Sequence, residues 1–581
     1  MRRLAQLTRA ALMVAAAALP ACGPSSTPPD GNVHGLDDPA GLHDIAVGAT
    51  LPGLVFDGVS ASGEPTTIHT RDFHDPTDDG LLLIMVSGGL WCGTCRWTAG
   101  ATGALFEPSI EERVRRFDVV VGDRDNAPAD ADAAADWQRL FDDAGIAVGA
   151  DPDHRFGALF DGPAALPIAV IVDPTTMIVT DALSRPRRHE LAHVLRNALD
   201  DGDAPLEPPP LVDGLFDADE WALLKTTTPP GAPPADPTNA VADDSMAAIL
   251  GEALFFDPGL SPSGDVACAT CHQPEHELYD SRPVAKGVGI GRRRAPSVAL
   301  AAHGRWQFWD GRADTLWSQA LGPLEDPNEH GSSRVHVARR TLTHHADAYA
   351  LAFPDAPILD TTSWPEDGLP GQPAYDALPE AERDAITGVF VRAGKAIAAY
   401  ERTLRVAPNA LDAYLAGNVD ALDDEQKYGL SLFVSLGCQQ CHWGPRLTDD
   451  AFHRVGIHDP DTPADPGRLE GLDAWRDAEF GAATRWSDAP MDIITSVAVT
   501  ERLRGQFKTP ALRGVAHAPF FDHAGTHPDL GSLMERYGWP DPELEREPWM
   551  TPFGETAQWG LLPLLRALTA EVVTTRRRSL P

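Results

Sequence analysis

The sequence predicts a multidomain chain, with one α/β domain followed by two mostly α-helical domains. Three observations carry this. At 581 residues the chain is too long for a single core, because chains beyond about 300 residues split into domains. Residues 45–200 alternate strand-like and helix-like patterns, whereas residues 243–581 look mostly helical with long Gly/Pro-rich loops. Between them, from Pro205 to Pro237, Pro is dense enough to block helix and strand interiors. Hydrophobic content of 43% with 23% charged residues is that of a globular protein and excludes a disordered chain. A net charge of −38 argues against a nucleic-acid binder, which needs clustered Lys and Arg. It suits a solvated surface or a basic partner protein.

The first element, residues 1–21, reads as an address. Arg2, Arg3 and Arg9 precede an apolar run, Ala10 to Leu19, that is shorter than the roughly 20 residues of a spanning helix. The run ends in Leu19-Pro20-Ala21-Cys22, which resembles a bacterial lipoprotein signal. That resemblance implies cleavage before Cys22, lipidation of Cys22, and a chain anchored on the periplasmic side of a bacterial membrane. Residues 22–44 are then a flexible tether rich in Ser, Thr, Pro and Asp.

Residues 45–200 form the α/β domain. Leu81 to Val86 is a continuous apolar run, as in a strand buried on both faces. It leads into Trp91-Cys92-Gly93-Thr94-Cys95. A Cys-x-x-Cys where a strand gives way to a helix sets the first sulfur at a helix N-terminus, which favours thiolate at Cys92 and leaves Cys95 as resolving thiol. Downstream, Pro167 opens the strand Ile168 to Val172. Together these resemble the thioredoxin fold in its TlpA-like or peroxiredoxin-like form. The resemblance makes Pro167 the residue facing the disulfide. Thr94 departs from thioredoxin, which has Pro there. Residues 201–242 read as a semi-rigid linker holding a short helix around Asp217 to Lys225.

In the second half no tandem repeat is obvious, but one motif occurs twice, as Cys268-Ala269-Thr270-Cys271-His272 and Cys438-Gln439-Gln440-Cys441-His442. Two thiols three residues apart reach the two vinyl groups of one haem, and the adjacent His offers its imidazole to the iron. A zinc site needs no His directly after each Cys pair. The chain therefore carries two covalently bound haem c groups.

The flanking sequences specify more. Phe256-Asp257-Pro258-Gly259-Leu260-Ser261 precedes the first motif. Phe308-Trp309-Asp310-Gly311-Arg312-Ala313, Gln319-Ala320-Leu321-Gly322-Pro323-Leu324 and Asp326-Pro327-Asn328-Glu329 follow it. Phe452-His453-Arg454-Val455-Gly456 and Phe507-Lys508-Thr509-Pro510-Ala511-Leu512-Arg513 follow the second. This resembles the bacterial di-haem cytochrome c peroxidase family, including its MauG-type members. The resemblance implies a peroxidatic haem domain over 243–410 and an electron-transfer haem domain over 411–581. It gives Glu329 the acid/base role, Gln319 the neighbouring amide and Trp309 the place between the haems. Hydrogen peroxide is the implied substrate. The implied partner is a small cytochrome c or copper protein as electron donor, or, for MauG-type chemistry, a protein substrate.

Three positions depart from the commonest family pattern or divide it. The loop Lys286-Gly287-Val288-Gly289-Ile290-Gly291 lacks the His with which many classical members block the peroxidatic iron. Arg294 stands where the family often has an Asn that binds calcium, so calcium is an expectation that this residue argues against; carbonyls near His517 and Pro519 are the remaining ligands. For the distal ligand of the second haem, Tyr537 matches the Tyr of MauG-type members, and Met534 is the rival.

Overall fold

The computed structural model describes residues 46–88, 113–122, 128–140, 146–156, 167–184, 186, 188–199, 211–456, 465–490, 501–538 and 555–574. Cys22, Cys92 and Cys95 lie outside them. The chain divides into two units, one holding residues up to Ala222 and the other most of the remainder, from Leu223.

The first unit is built on strands β1 (Val55–Val59), β2 (Pro65–His69), β3 (Leu81–Ser87), β4 (Val114–Val120), β5 (Ala147–Ala150), β6 (Ile168–Asp173) and β7 (Ile178–Ser184), in the sheet order β2-β1-β5-β4-β3-β6-β7. The apolar run predicted as a central strand is β3, and all seven of its residues are buried. Leu82, Ile84 and Val86 join one core with Phe56, Phe117 and Phe156. Leu81, Leu83 and Met85 face the other way, against Leu191 and Leu195 of helix α2 (Arg188–Leu199). Helix α1 (Ala131–Leu140) adds Trp137, whose indole N–H donates to buried Asp118 at 2.8 Å. Burying each Leu or Ile contributes about 1.5–3 kcal/mol, so a strand buried on both faces anchors the domain.

β3 pairs parallel with β4 and antiparallel with β6. That arrangement is thioredoxin-like, as expected. Pro167 is buried and immediately precedes β6, whose Ile168 pairs with Val86 near the end of β3. In the sequence the Cys92–Cys95 segment follows β3.

Past the helix α3 (Ala218–Lys225), which the sequence anticipated, residues 227–242 of the Pro-rich stretch are tied to the second unit. Asn239 donates to the Lys395 carbonyl at 3.0 Å, and Arg402 donates to the Pro234 carbonyl at 2.8 Å. The hub of this unit is the long helix α6 (Glu380–Glu401), which buries Ile386, Phe390, Ala393, Ile397 and Tyr400. Helix α4 (Ser245–Phe255) lies so close to it that a Cβ at Gly251 would overlap the Ala396 carbonyl oxygen. Helix α5 (Leu316–Glu325) approaches at Gly394. Asp244 caps α4 by accepting from the N–H groups of Met246 and Ala247.

The second unit contains an internal repeat at an offset of 214 residues, as from Arg294 to Lys508. The bridge Gln307–Ala313 recurs as Phe521–His527. Phe308 and Gly311 have φ of 66° and 69°; Asp522 and Gly525, their counterparts, have 64° and 67°. Thr315 caps α5 through Ser318 N–H, and Asp529 caps helix α7 (Leu530–Gly538) through Ser532 N–H. The two copies also meet reciprocally. Arg294 N–H donates to the His523 carbonyl and Lys508 N–H donates to the Trp309 carbonyl, both at 2.8 Å. Few residues coincide across the offset, so the repeat is carried mainly by the backbone.

Candidate active site and haem centres

Cys268–Thr270 forms a single tight turn, and the N–H groups of Cys271 and His272 close on the Cys268 carbonyl. That turn places Cys268, Cys271 and His272 on the wall of one cleft. Gln319 and Glu329 line the same cleft. Residues that the sequence could only place in order are therefore brought together. Burial keeps both thiols protonated, with Cys271 pushed up to about 11 and Cys268 higher still. Burial also pushes the His272 pKa down, so its imidazole is neutral and its lone pair available.

Glu329 is half-buried, and its carboxyl is pushed up to about 7, chiefly by burial and then by the neighbouring Asp326, against the opposing charge of Arg312. It sits on the turn after α5. Pro323, inside α5, has no N–H, so the Gln319 carbonyl loses its intrahelical partner. The Pro323 carbonyl instead faces His330, whose N–H donates to it at 3.1 Å and whose Nδ1 lies at 3.1 Å. Ser332 N–H returns to the Leu324 carbonyl, and Gly331 N–H to the Asp326 carbonyl. The glycine loop closes the other side of this turn. Val288 N–H donates to the Glu329 carbonyl and Gly289 N–H to the Asn328 carbonyl, each at 2.9 Å. A Cβ at Gly287 would overlap the Glu329 carbonyl. The loop that lacks the family's blocking His is thus packed directly on the segment bearing the acid.

Two further residues of the cleft escaped the sequence reading. Glu401, at the end of α6, is 3% exposed and burial pushes its carboxyl up to about 8, so it is a neutral acid at pH 7. His330 is held down to about 4 by burial. Glu401 Oε2 and His330 Nε2 are buried without hydrogen-bond partners among the described residues. A lone Glu after Ala398-Ala399-Tyr400 in an apolar helix was the available signal. Two thiols, an imidazole and unsatisfied polar atoms in one cleft fit a covalently attached haem with its carboxylate edge.

At the second motif, Cys438–Gln440 forms the corresponding tight turn. His442 Nδ1 donates to the Leu447 carbonyl at 2.9 Å, which fixes the ring and leaves Nε2 for iron. Asp449 N–H donates to the Cys441 carbonyl, and Asp449 pairs with His453 at 2.8 Å. Cys441, Asp449 and His453 are close enough together to hold a metal ion. Haem attachment accounts for Cys441, however, and the Asp449–His453 pair accounts for the other two. Burial lowers the His453 pKa, and its hydrogen bond to Asp449 raises it.

Met534 and Tyr537 are half-buried on α7, three residues apart. Across the 214-residue offset they correspond to Ala320 and Pro323, and both of those line the first cleft. Trp309 is buried; its indole N–H donates to the Arg294 carbonyl at 2.9 Å, and its ring meets that of His523, its repeat counterpart, edge-on at 6.5 Å. The expected calcium position does not fit a divalent ion. Arg294 fills it with a buried cationic side chain, and the Arg294 carbonyl is already engaged by Trp309.

Two haem-attachment turns in a helical unit, one of them opening on a cleft with a carboxylic acid of raised pKa, define a di-haem c-type cytochrome of enzymatic type. A family model described as di-haem cytochrome c peroxidase matches residues 245–420. The methylamine utilization protein MauG of Methylorubrum extorquens is 31% identical over 360 residues, 61% of this chain and 86% of that protein. The cytochrome c551 peroxidase of Pseudomonas aeruginosa is 34% identical over 227 residues, 38% of this chain and 58% of that protein. Among solved structures, the diheme peroxidase BthA from Burkholderia thailandensis is 23% identical, with 59% of this chain and 90% of that one covered, at a TM-score of 0.42. The chain belongs to the di-haem cytochrome c peroxidase and MauG family. It is an oxidoreductase with two c-type haems, joined to a thioredoxin-like domain.

Proposed function

We propose that the chain reduces hydrogen peroxide to water in the Cys268–His272 cleft. The observation that carries this reading is Glu329, an acid with a pKa near 7 sharing one cleft with the first attachment turn. When bound, the haem on Cys268 and Cys271 supplies the iron that takes up peroxide, and the haem on Cys438 and Cys441 supplies electrons. The chain's own residues handle the protons. Glu329 takes the proton from one peroxide oxygen and returns it to the other, which leaves as water, and its pKa near 7 suits both directions. Gln319 offers an uncharged amide beside it. The glycine loop, carrying no His, leaves the cleft accessible without prior reduction. Trp309 serves as the aromatic bridge toward the second site, held by its indole hydrogen bond to the Arg294 carbonyl.

A second reading, the oxidation of a protein substrate that the resemblance to MauG-type members implies, is favoured by Tyr537. The repeat sets it at the counterpart of a cleft-lining position, and a phenolate there would stabilise oxidised iron. The Cys92–Cys95 pair is the candidate thiol–disulfide centre of the first domain. Export as a lipoprotein agrees with c-type haem, which is attached outside the cytoplasm; no helix among the described residues is long and apolar enough to cross a membrane. The experiment is steady-state turnover of the holoprotein with hydrogen peroxide and a reduced small cytochrome or copper protein. Rapid oxidation of the donor supports the peroxidase. Peroxide consumption with no accepted donor rejects it in favour of the second reading.

A further inference from the structure

Arg294 is 6% exposed, yet its charge is not spent on an ion pair. The contrast with its neighbour is sharp. Arg293 is bound by Asp465 at 2.7 Å and also by Asp310. Arg294 has no carboxylate within ion-pair distance among the described residues. Its Nε reaches only the Asp522 carbonyl, at 3.4 Å, and its Nη1 is buried without an acceptor among the described residues. The guanidinium is held instead by two aromatic faces, 5.7 Å from the Tyr279 ring centre and 5.8 Å from that of Trp309. Burial lowers its pKa, but a guanidinium stays protonated in a protein.

The position is equally specific. Arg294 and Lys508 are repeat counterparts, and their backbone N–H groups donate across the repeat to carbonyls that are themselves counterparts, Arg294 to His523 and Lys508 to Trp309. Arg294 is therefore fixed where the two copies of the frame meet. A divalent ion there needs a shell of oxygen ligands. A guanidinium in place of an amide removes one such oxygen and repels the ion.

We infer that Arg294 is a built-in substitute for the family's divalent ion. It holds a permanent positive charge against Trp309 at the junction of the two copies, and the haem unit needs no calcium. The inference goes beyond the peroxidase reading and holds for either substrate.

The test uses the full-length holoprotein. Calcium content is measured after dialysis against calcium-free and millimolar-calcium buffers, and haem spectra and midpoint potentials are recorded with and without EDTA. Arg294→Lys keeps the charge, and Arg294→Met removes it. The expected result is a calcium-free wild type, indifferent to EDTA and to added calcium. Arg294→Met should lower at least one haem potential, and Arg294→Lys should hold both near wild type. Stoichiometric calcium in the wild type, or an EDTA effect that calcium reverses, overturns the inference. Unchanged potentials in Arg294→Met overturn the role of its charge. Should Arg294→Met fail to load haem, the wild-type metal analysis and the Arg294→Lys potentials decide alone, by the same criteria.

Discussion

The two copies of the loop-and-helix frame, residues 294–325 and 508–538, agree in backbone and diverge in the side chains that matter. Where the first presents Gln319, Ala320 and Pro323, the second presents Leu533, Met534 and Tyr537. One amide and two short side chains leave room for a small molecule. A thioether and a phenol are groups that can themselves bind iron. Behind the first copy comes the pinned turn that carries Glu329. Three positions on one helix thus separate a site with room for a small molecule from one that presents two candidate iron ligands.

The largest effect that would break this contrast is at the acid. Glu329→Gln should retain both haems, seen as two haem additions in mass spectra of the denatured protein, and lose about 10²–10⁴-fold in peroxide turnover, the usual worth of a general acid/base. Turnover within a few-fold of wild type would remove Glu329 from the chemistry. Next comes its support. Gly287→Ala forces a methyl group into the Glu329 carbonyl. Displacing a reacting group by about 1 Å can cost up to about 10²-fold. The loss should appear in kcat, with haem binding kept.

The pH profile is a smaller lever. The Glu329 pKa lies near 7, above the ordinary carboxyl value. Proton uptake from peroxide needs the carboxylate, so turnover should climb through pH 7 on its acid side, and Glu329→Gln should flatten that limb. The sign for stability is opposite. A carboxyl whose folded pKa is raised stabilises the fold relatively at low pH, and that advantage is lost as pH rises from the ordinary carboxyl range through 7. Thermal midpoints of wild type and Glu329→Gln should converge at acid pH and separate above it, with the glutamine form higher.

At the second copy, Tyr537→Phe should change the spectrum and raise the potential of that haem, while Met534→Leu should alter neither. The reverse result would assign Met534 as the ligand. The smallest expected effect compares the helix caps. Thr315→Ala and Asp529→Ala should each cost about 0.5–2 kcal/mol in denaturant unfolding, since each removes an acceptor from a helix N-terminus.

Much of this was legible in the sequence. An uninterrupted apolar run gave β3, because a strand buried on both faces needs no polar alternation. The haem turns were legible because the chemistry of attachment fixes their spacing. Glu329 and Gln319 were placed by motif order, and the cleft brings them together with the first attachment turn. What was hidden depends on approach between distant segments. Nothing in Gly287 or Gly289 announces the carbonyl that each backs. The burial of Glu401 and Arg294 comes from packing around them. The repeat was concealed because its two copies share dihedral angles and caps more than residue types.

Pro323 has an effect on timescale. Its carbonyl lies in the last turn of α5, where Pro327 offers no N–H four residues on, and accepts from His330 instead, so both flanks of the Glu329 turn are tied to the frame. Few low-cost openings remain to that segment. Its amides should exchange with solvent mainly when the surrounding unit opens, not through local fraying. An acid carried on such a turn arrives at each reaction cycle already in place, with little reorganisation left to slow the proton.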